Sequence, residues 1–394
     1  MRLPPAFRPR YLYTQQGSNS VDKSRRDFCT VLGTAAILSS AAGVLAPAHA
    51  AARAADATKA GTAATAGGQR LKVRLLLNSA LSGPHAFFCL AHERGYFADA
   101  GLDVEFAAGD GAASVVPRIP QEGFDGGYGD LCALIKLAGL RPDNCPVAVH
   151  VAFNQTPLTI GVRRDGPIHS PKDLEGKVIG GHPIDAAIEV FPAYASVAGV
   201  DESRVSILRS TTSMSTLGED VLNGHTDGVF GFVHTIIAAL AARNIDGRAG
   251  LRFLEYRDLV PDMYGNALML TPRFLKEHPD AARALVAAVN RGIVETLADP
   301  KAALEATRKM APKFADHVDG PRLMGTLEVE MAHPEALKIG IGDIDDGRLQ
   351  RSIQLMATSC RLPRTPKPEE IFTRAYLPPL AERARPRSAG GSHA

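Results

Sequence analysis

From Leu71 onward the apolar residues alternate between two rhythms, short runs of five to eight and longer stretches with helical spacing. LKVRLLLNSA (71–80) is a partly alternating run closed by Asn-Ser, which predicts a buried strand and a turn. SGPHAFFCLAHERGYFADAG follows as a helix, with Ser82 in N-cap position and Gly95 and Gly101 as stops. LDVEFAAG is a second strand. GYGDLCALIKLAGL opens as a loop and continues as a helix. CPVAVHVAFNQTPLTIGVRR supplies two strands around a polar elbow.

The alternation continues through PKDLEGKVIGGHPIDAAIEVFPAYASVAGVD, read as a short helix, a strand and a helix stopped by Gly199. RVSILRST is a strand, TLGEDVLNG a helix, and TDGVFGFVHT a strand ending in polar residues. LRFLEYRDLV and NALMLTP are strands. The remainder is helical over 272–298, 300–311, 319–332 and 345–360. Strands interleaved with helices predict an α/β architecture with mostly parallel sheets. Their confinement to the first 200 folded residues argues against a barrel, which would spread them evenly, and for two α/β lobes.

Composition narrows the partners. The 394 residues are 45% hydrophobic and 22% charged, with net charge +2. The first 50 carry six basic and two acidic residues, so the rest is net about −2 and has no basic patch suited to nucleic acid. Of the five cysteines, Cys29, Cys89, Cys132, Cys145 and Cys360, none forms a C-x-x-C pair or sits at zinc-ligand spacing from histidine. Cys89 and Cys132 lie in apolar segments as buried thiols; a Cys132–Cys145 disulfide is the alternative in an oxidising compartment.

The first 50 residues read as an export signal. Lys23, Arg25 and Arg26 precede the apolar run Val31–Ala46, and Ala48-His49-Ala50 fits a small-residue cleavage site. Paired arginines ahead of Phe28 fit the twin-arginine form. The competing reading is a retained anchor, but the run is rich in Ala, Gly, Ser and Thr and contains a proline. Cys29 stands at the start of the apolar run, the wrong end for lipoprotein processing. Residues 51–70 are an Ala/Thr/Gly-rich disordered spacer and 381–394 a disordered tail. The exported chain is expected in the periplasm.

GPHAFFCLAHERGYFADAGLDVEF resembles the opening of periplasmic solute-binding proteins of ABC importers, in the NMT1/THI5-like or SsuA-like branch. Its helix ends in Gly95-Tyr96-Phe97 and is followed by Gly101 to Glu105. IHSPKDLEGKVIGG, VLNGHTDGVFGF, DMYGNALMLTPRFLKEHPDAARALVAA and PKPEEIFTRAYLP match later segments in order, so the resemblance covers about 71–380. It implies a type II periplasmic-binding fold: lobe 1 from 71–158 and 262–380, lobe 2 from 159–261, and two crossing strands as hinge. A ligand would be enclosed between the lobes by hinge closure. The implied partners are a small-molecule ligand, a membrane permease and its ATPase, with the binding protein a monomer and neither cofactor nor metal required.

Open α/β sheets bind ligands beyond the carboxyl ends of their strands. Five loops qualify, offering Asn78, Ser79, Ser82 and His85; Tyr128 and Asp130; Phe153, Asn154, Gln155 and Thr156; His182, Ile184 and Asp185; and Phe232, His234 and Thr235. Tyr264 and Asn266 on the returning segment would close the ring. Asn78, Ser82 and Asp185 are equally readable as turn formers or helix caps, and Phe153 and Phe232 as core. The resemblance puts His85 where pyrimidine-precursor binders have a cleft histidine.

No tryptophan exists for stacking, GFVHT lacks the acidic residue usual in thiamine-precursor binders, and the CCCFC run of precursor-synthesising relatives is absent. None of the five loops carries Arg or Lys, so a sulfonate, taurine or nitrate-type anion would depend on backbone N–H groups. A nitrogen heterocycle such as a pyrimidine fits slightly better. An exported enzyme of the same fold, or a ligand sensor without transport, are the alternatives. No G-x-S-x-G, H-E-x-x-H or G-x-G-x-x-G motif supports an enzyme. Counted from Asp343, the twelfth residue of a would-be calcium loop is Gln354 rather than Glu.

Overall fold

The computed structural model describes residues 69–386, so the leader, its cleavage site and nearly all of the spacer lie outside the described residues. Two five-stranded sheets, each flanked by helices, form the fold. The first contains β1 (Leu71–Leu77), β2 (Leu102–Ala108), β3 (Gly126–Asp130), β4 (Val147–Val151) and β10 (Asn266–Leu270), in the order β2-β1-β3-β10-β4. The second contains β5 (Leu158–Arg163), β6 (Val178–Gly181), β7 (Ser206–Arg209), β8 (Gly228–Phe232) and β9 (Leu251–Glu255), in the order β7-β6-β8-β5-β9.

One strand in each sheet is reversed: β10 runs antiparallel to β3 and β4, and β5 to β8 and β9. Connectivity explains both. β4 leaves the first sheet at the carboxyl end, and a short crossing delivers the chain to the corresponding end of the second. The next strand must therefore run back the other way. β9 and β10 repeat this on the return.

Two predicted segments change type. Gly126–Asp130, read as a loop, is the fully buried central strand β3. Its glycines masked it, and close packing requires them. A Cβ on Gly127 would sit 2.6 Å from the Leu76 carbonyl oxygen and 2.7 Å from the Ile119 side chain. His234 and Thr235, read as a strand end, lie in the first turn of the helix Val233–Ala241. Of the tail expected to be disordered over 381–394, residues 381–386 are instead anchored on the fold, and 387–394 lie outside the described residues. Arg383 is buried and donates to the carbonyls of Pro378, Ile339 and Ile341. The described cysteines are all unpaired, so no Cys132–Cys145 disulfide is present.

The crossing segments, 152–157 and 256–265, pack directly on each other. A Cβ on Gly265 would meet Pro157 Cδ at 2.8 Å and Phe153 Cβ at 3.0 Å. Arg348, on the helix Asp346–Ser359, fastens both crossings with one guanidinium. It donates to the Asn154 carbonyl at 3.2 Å and the Pro261 carbonyl at 2.9 Å, pairs with Glu335 at 2.6 Å and stacks on Tyr264. Among the described residues no helix is long and apolar enough to cross a membrane.

Candidate functional site

Both sheets turn the carboxyl ends of their co-directional strands toward one cavity of about 270 Å³. From the first lobe, Asn78 and Ser79 reach it after β1, and Asp110, Gly111 and Ala112 after β2. From the second, His182, Ile184, Asp185 and Ala186 follow β6, while Gly231, Phe232 and Thr235 surround the end of β8. Met214 and Arg322 complete the lining. A larger cavity of about 490 Å³ lies between Tyr96 and the alanine-rich face of the helix Pro279–Ala298. It is remote from the strand ends and draws on one lobe.

Arg322 overturns the premise that no cation faces the cleft. It comes from the helix Asp316–Gly325, outside all five loops, and is half-buried with its Nε sealed from solvent and unpartnered. Nη1 donates to Ser82 Oγ at 3.2 Å and Nη2 to Thr235 Oγ1 at 3.0 Å, across the two lobes. Among the described residues it has no carboxylate ion-pair partner. The two nearby carboxylates are engaged elsewhere: Asp319 accepts from the Gly83 and Ala315 amides, and Glu330 meets His234 Nδ1 at 3.1 Å. Burial pulls the arginine below its ordinary range. Arg322, Thr326 and Glu330 recur every four residues along a largely buried face, a polar stripe that could have flagged the arginine in the sequence.

Of the residues expected at a site, Asn78, Ser79, His182, Ile184, Asp185, Phe232 and Thr235 line the cavity. Asp185 also caps the helix Ala186–Ala198, accepting from the Ala187 amide at 2.8 Å, as its helix-cap reading expects. Burial raises its carboxyl to about 6. Ser82 and His85 form a layer behind Asn78 and Arg322. His85 is fully enclosed, with Nε2 at 2.7 Å from Asn78 Oδ1 and Nδ1 at 3.3 Å from Ser82 Oγ. Burial, then the Arg322 charge, lowers it to about 3, so the ring is neutral.

The other candidates do not line the cavity. Asp130 is sealed at the end of β3, where Oδ1 caps the helix Leu131–Leu140 and Oδ2 has no partner. Burial raises it to about 7, and the nearby Asp185 charge adds to the shift. Tyr128 and Phe153 pack edge to face in the core. Asn154 exchanges hydrogen bonds with the His333 backbone, and the Gln155 amide donates to the Glu330 carbonyl. Thr156 is buried in the same crossing. His234 joins the lobes through Glu330, and Tyr264 donates to Glu335 in the crossing cluster. Asn266, opposite Asp130, is buried with both side-chain polar atoms unpartnered. The elbow and return residues therefore build the crossings rather than the cavity wall.

Among the described residues no cluster of three or more metal-ligating groups exists. Ser82, His85 and Asn78 are joined through the two ring nitrogens of the imidazole at the cavity wall. The cavity lining presents one guanidinium, the half-buried Asp185 and the exposed Asp110 carboxylates, the His182 imidazole, amide and hydroxyl groups, and the apolar side chains of Ile184, Met214 and Phe232.

The family model described as NMT1/THI5 like matches residues 82–303, more than half of the chain. The chain belongs to the NMT1/THI5-like family. Solved structures with the same fold include the ligand-binding component of an ABC-type import system from Staphylococcus aureus, with TM-score 0.57 and 13% identity over 81% of this chain and 100% of that one. The alkanesulfonate-binding protein SsuA from Xanthomonas axonopodis pv. citri, bound to MOPS, gives TM-score 0.57 and 12% identity over 77% and 97%. The periplasmic aliphatic sulphonate binding protein SsuA from Escherichia coli gives 0.56 and 14% over 83% and 96%. A search of curated proteins found no match. At these identities the neighbours establish the two-lobed binding-protein fold of this NMT1/THI5-like chain. Its ligand has to be argued from its own residues.

Proposed function

We propose that this protein is the periplasmic solute-binding component of an ABC importer and captures a small organic anion between its lobes. The single observation that carries the ligand class is Arg322. A guanidinium half-buried at a cavity without an ion-pair partner has been partly stripped of water and not repaid within the chain. An anion supplies the missing charge, and the bond it makes there is strengthened by the low surrounding dielectric. This reverses the preference for a neutral heterocycle, which rested on the absence of cations from the five loops.

A sulfonate is the class named for the two SsuA neighbours and suits this cavity. Its acidic oxygens would meet Arg322 and Asn78, and its carbon chain would lie on Ile184, Met214 and Phe232. Arg322 already bridges to Thr235 of the other lobe, so an anion bound to it would couple occupancy to closure. Delivery to a permease and its ATPase, after export by the twin-arginine signal, completes the proposed role.

The test is a thermal-shift and calorimetric screen of the mature chain against ethanesulfonate, taurine, nitrate and cytosine. A bound ligand at a hundredfold excess over its Kd stabilises the fold by about 2.7 kcal/mol. The expected outcome is stabilisation by an organic anion that is recovered intact. Stabilisation by cytosine alone, or chemical conversion of the anion, would refute the reading.

A further inference from the structure

Asn78 and Arg322 both line the cavity, and a continuous chain of hydrogen bonds connects them behind its wall. One direction of the chain satisfies every donor and acceptor with the Asn78 oxygen facing the ring. A guanidinium can only donate, so Ser82 Oγ accepts from Arg322 Nη1. The Ser82 hydroxyl hydrogen is then available to His85 Nδ1 at 3.3 Å. The buried imidazole is neutral, so a bare Nδ1 leaves its hydrogen on Nε2. That hydrogen is donated to Asn78 Oδ1 at 2.7 Å. With its oxygen turned to the ring behind the wall, Asn78 is oriented with its NH₂ group on the side away from His85, toward the cavity.

We propose that His85 is a positioning residue that fixes the polarity of Asn78, so that Asn78 and Arg322 present hydrogen-bond donors alone to the ligand. The site then selects a head group whose oxygens carry no hydrogen. It discriminates against a group of similar shape that must itself donate. This deepens the anion reading and rests on it, because it names the hydrogen-bonding character of the group beside Arg322 as well as its charge. The signal of the arginine thus reaches Asn78 through a serine and a histidine that never touch the ligand. It also gives a role to His85, which the cavity itself does not require.

The tautomer is read directly by ¹⁵N NMR of the histidine-labelled wild-type protein, without any ligand. The expected His85 spectrum has a protonated Nε2 and a bare Nδ1 at neutral pH. A proton on Nδ1, or an imidazolium, would overturn the relay. Selectivity is read by titrating ethanesulfonate and ethanesulfonamide, matched in shape, into wild type, His85→Phe and His85→Gln. His85→Phe frees the Asn78 amide to turn over, and the sulfonate-to-sulfonamide preference should fall by about tenfold, the worth of one hydrogen bond. His85→Gln, whose amide NH₂ can reach Asn78 Oδ1, should restore most of it. An unchanged preference in both variants would overturn the proposal. If wild type bound neither probe, the anion reading would fail while the ¹⁵N spectrum still decided the relay.

Discussion

Arg348 and Arg322 are both withdrawn from solvent in the same lobe, and each leaves its Nε unpartnered, yet their surroundings differ in charge. Arg348 has the Glu335 carboxylate at 2.6 Å, two backbone carbonyls, and the Tyr264 ring beneath it. Arg322 has two hydroxyls and an open cavity. A neutralised arginine is a fastener, here holding the inter-lobe crossings together. An arginine whose nearby carboxylates are bonded to other groups is a place where something else belongs. Residue type and burial alone do not separate the two; the inventory of partners does.

The comparison can be broken at either member. Replacing Arg348 with Ala strands Glu335 and releases both crossings, and should cost about 3–5 kcal/mol of folding stability, measured by urea unfolding. A loss below about 1 kcal/mol would remove its fastening role. Arg322→Met should behave oppositely. The free protein should melt at or above the wild-type temperature, because a charge without a carboxylate partner has been removed. Affinity for ethanesulfonate should fall on the order of 100-fold, as expected for losing charge-assisted hydrogen bonds.

Asp130 extends the comparison to the opposite sign. Its carboxyl is raised to about 7 by burial, above the ordinary value of 3.8, so the folded state holds the proton more tightly than the unfolded one. Its contribution is therefore favourable below about pH 4 and is lost as pH rises toward 7. Asp130→Asn keeps the helix-capping oxygen and should remove this dependence. The wild-type minus variant stability should decline by on the order of 4 kcal/mol across that window in urea titrations. A flat difference would show that Asp130 ionises normally. Lys136 and Glu189, a half-exposed ion pair between the lobes, should matter least. Lys136→Met should change stability by less than about 1 kcal/mol, and an effect larger than that of Arg322→Met on affinity would invert the ranking.

Much of the fold was legible because hydrophobic rhythm reports burial, and burial dominates strand and helix choice in β1, β2 and the helix Pro279–Ala298. β3 was not legible, because its glycines answer to the Ile119 side chain and the Leu76 backbone, contacts far away in sequence. Three of the five loops, those after β1, β6 and β8, supply much of the cavity wall, since topology places loops beyond strand ends. The wall residues Asp110 to Ala112 after β2 were in none of the five. The loops could not contain Arg322, which a C-terminal helix brings in from about 90 residues beyond the last of them. Nor could sequence spacing tell that His85 stands behind Asn78 rather than beside it. That required knowing which way the ring faces.

The most direct test of the account is a crystal structure of the protein grown with ethanesulfonate. A sulfonate oxygen about 3 Å from both an Arg322 nitrogen and Asn78 Nδ2 is the predicted result. A sulfonate bound elsewhere, with Arg322 still joined only to Ser82 and Thr235, would contradict it.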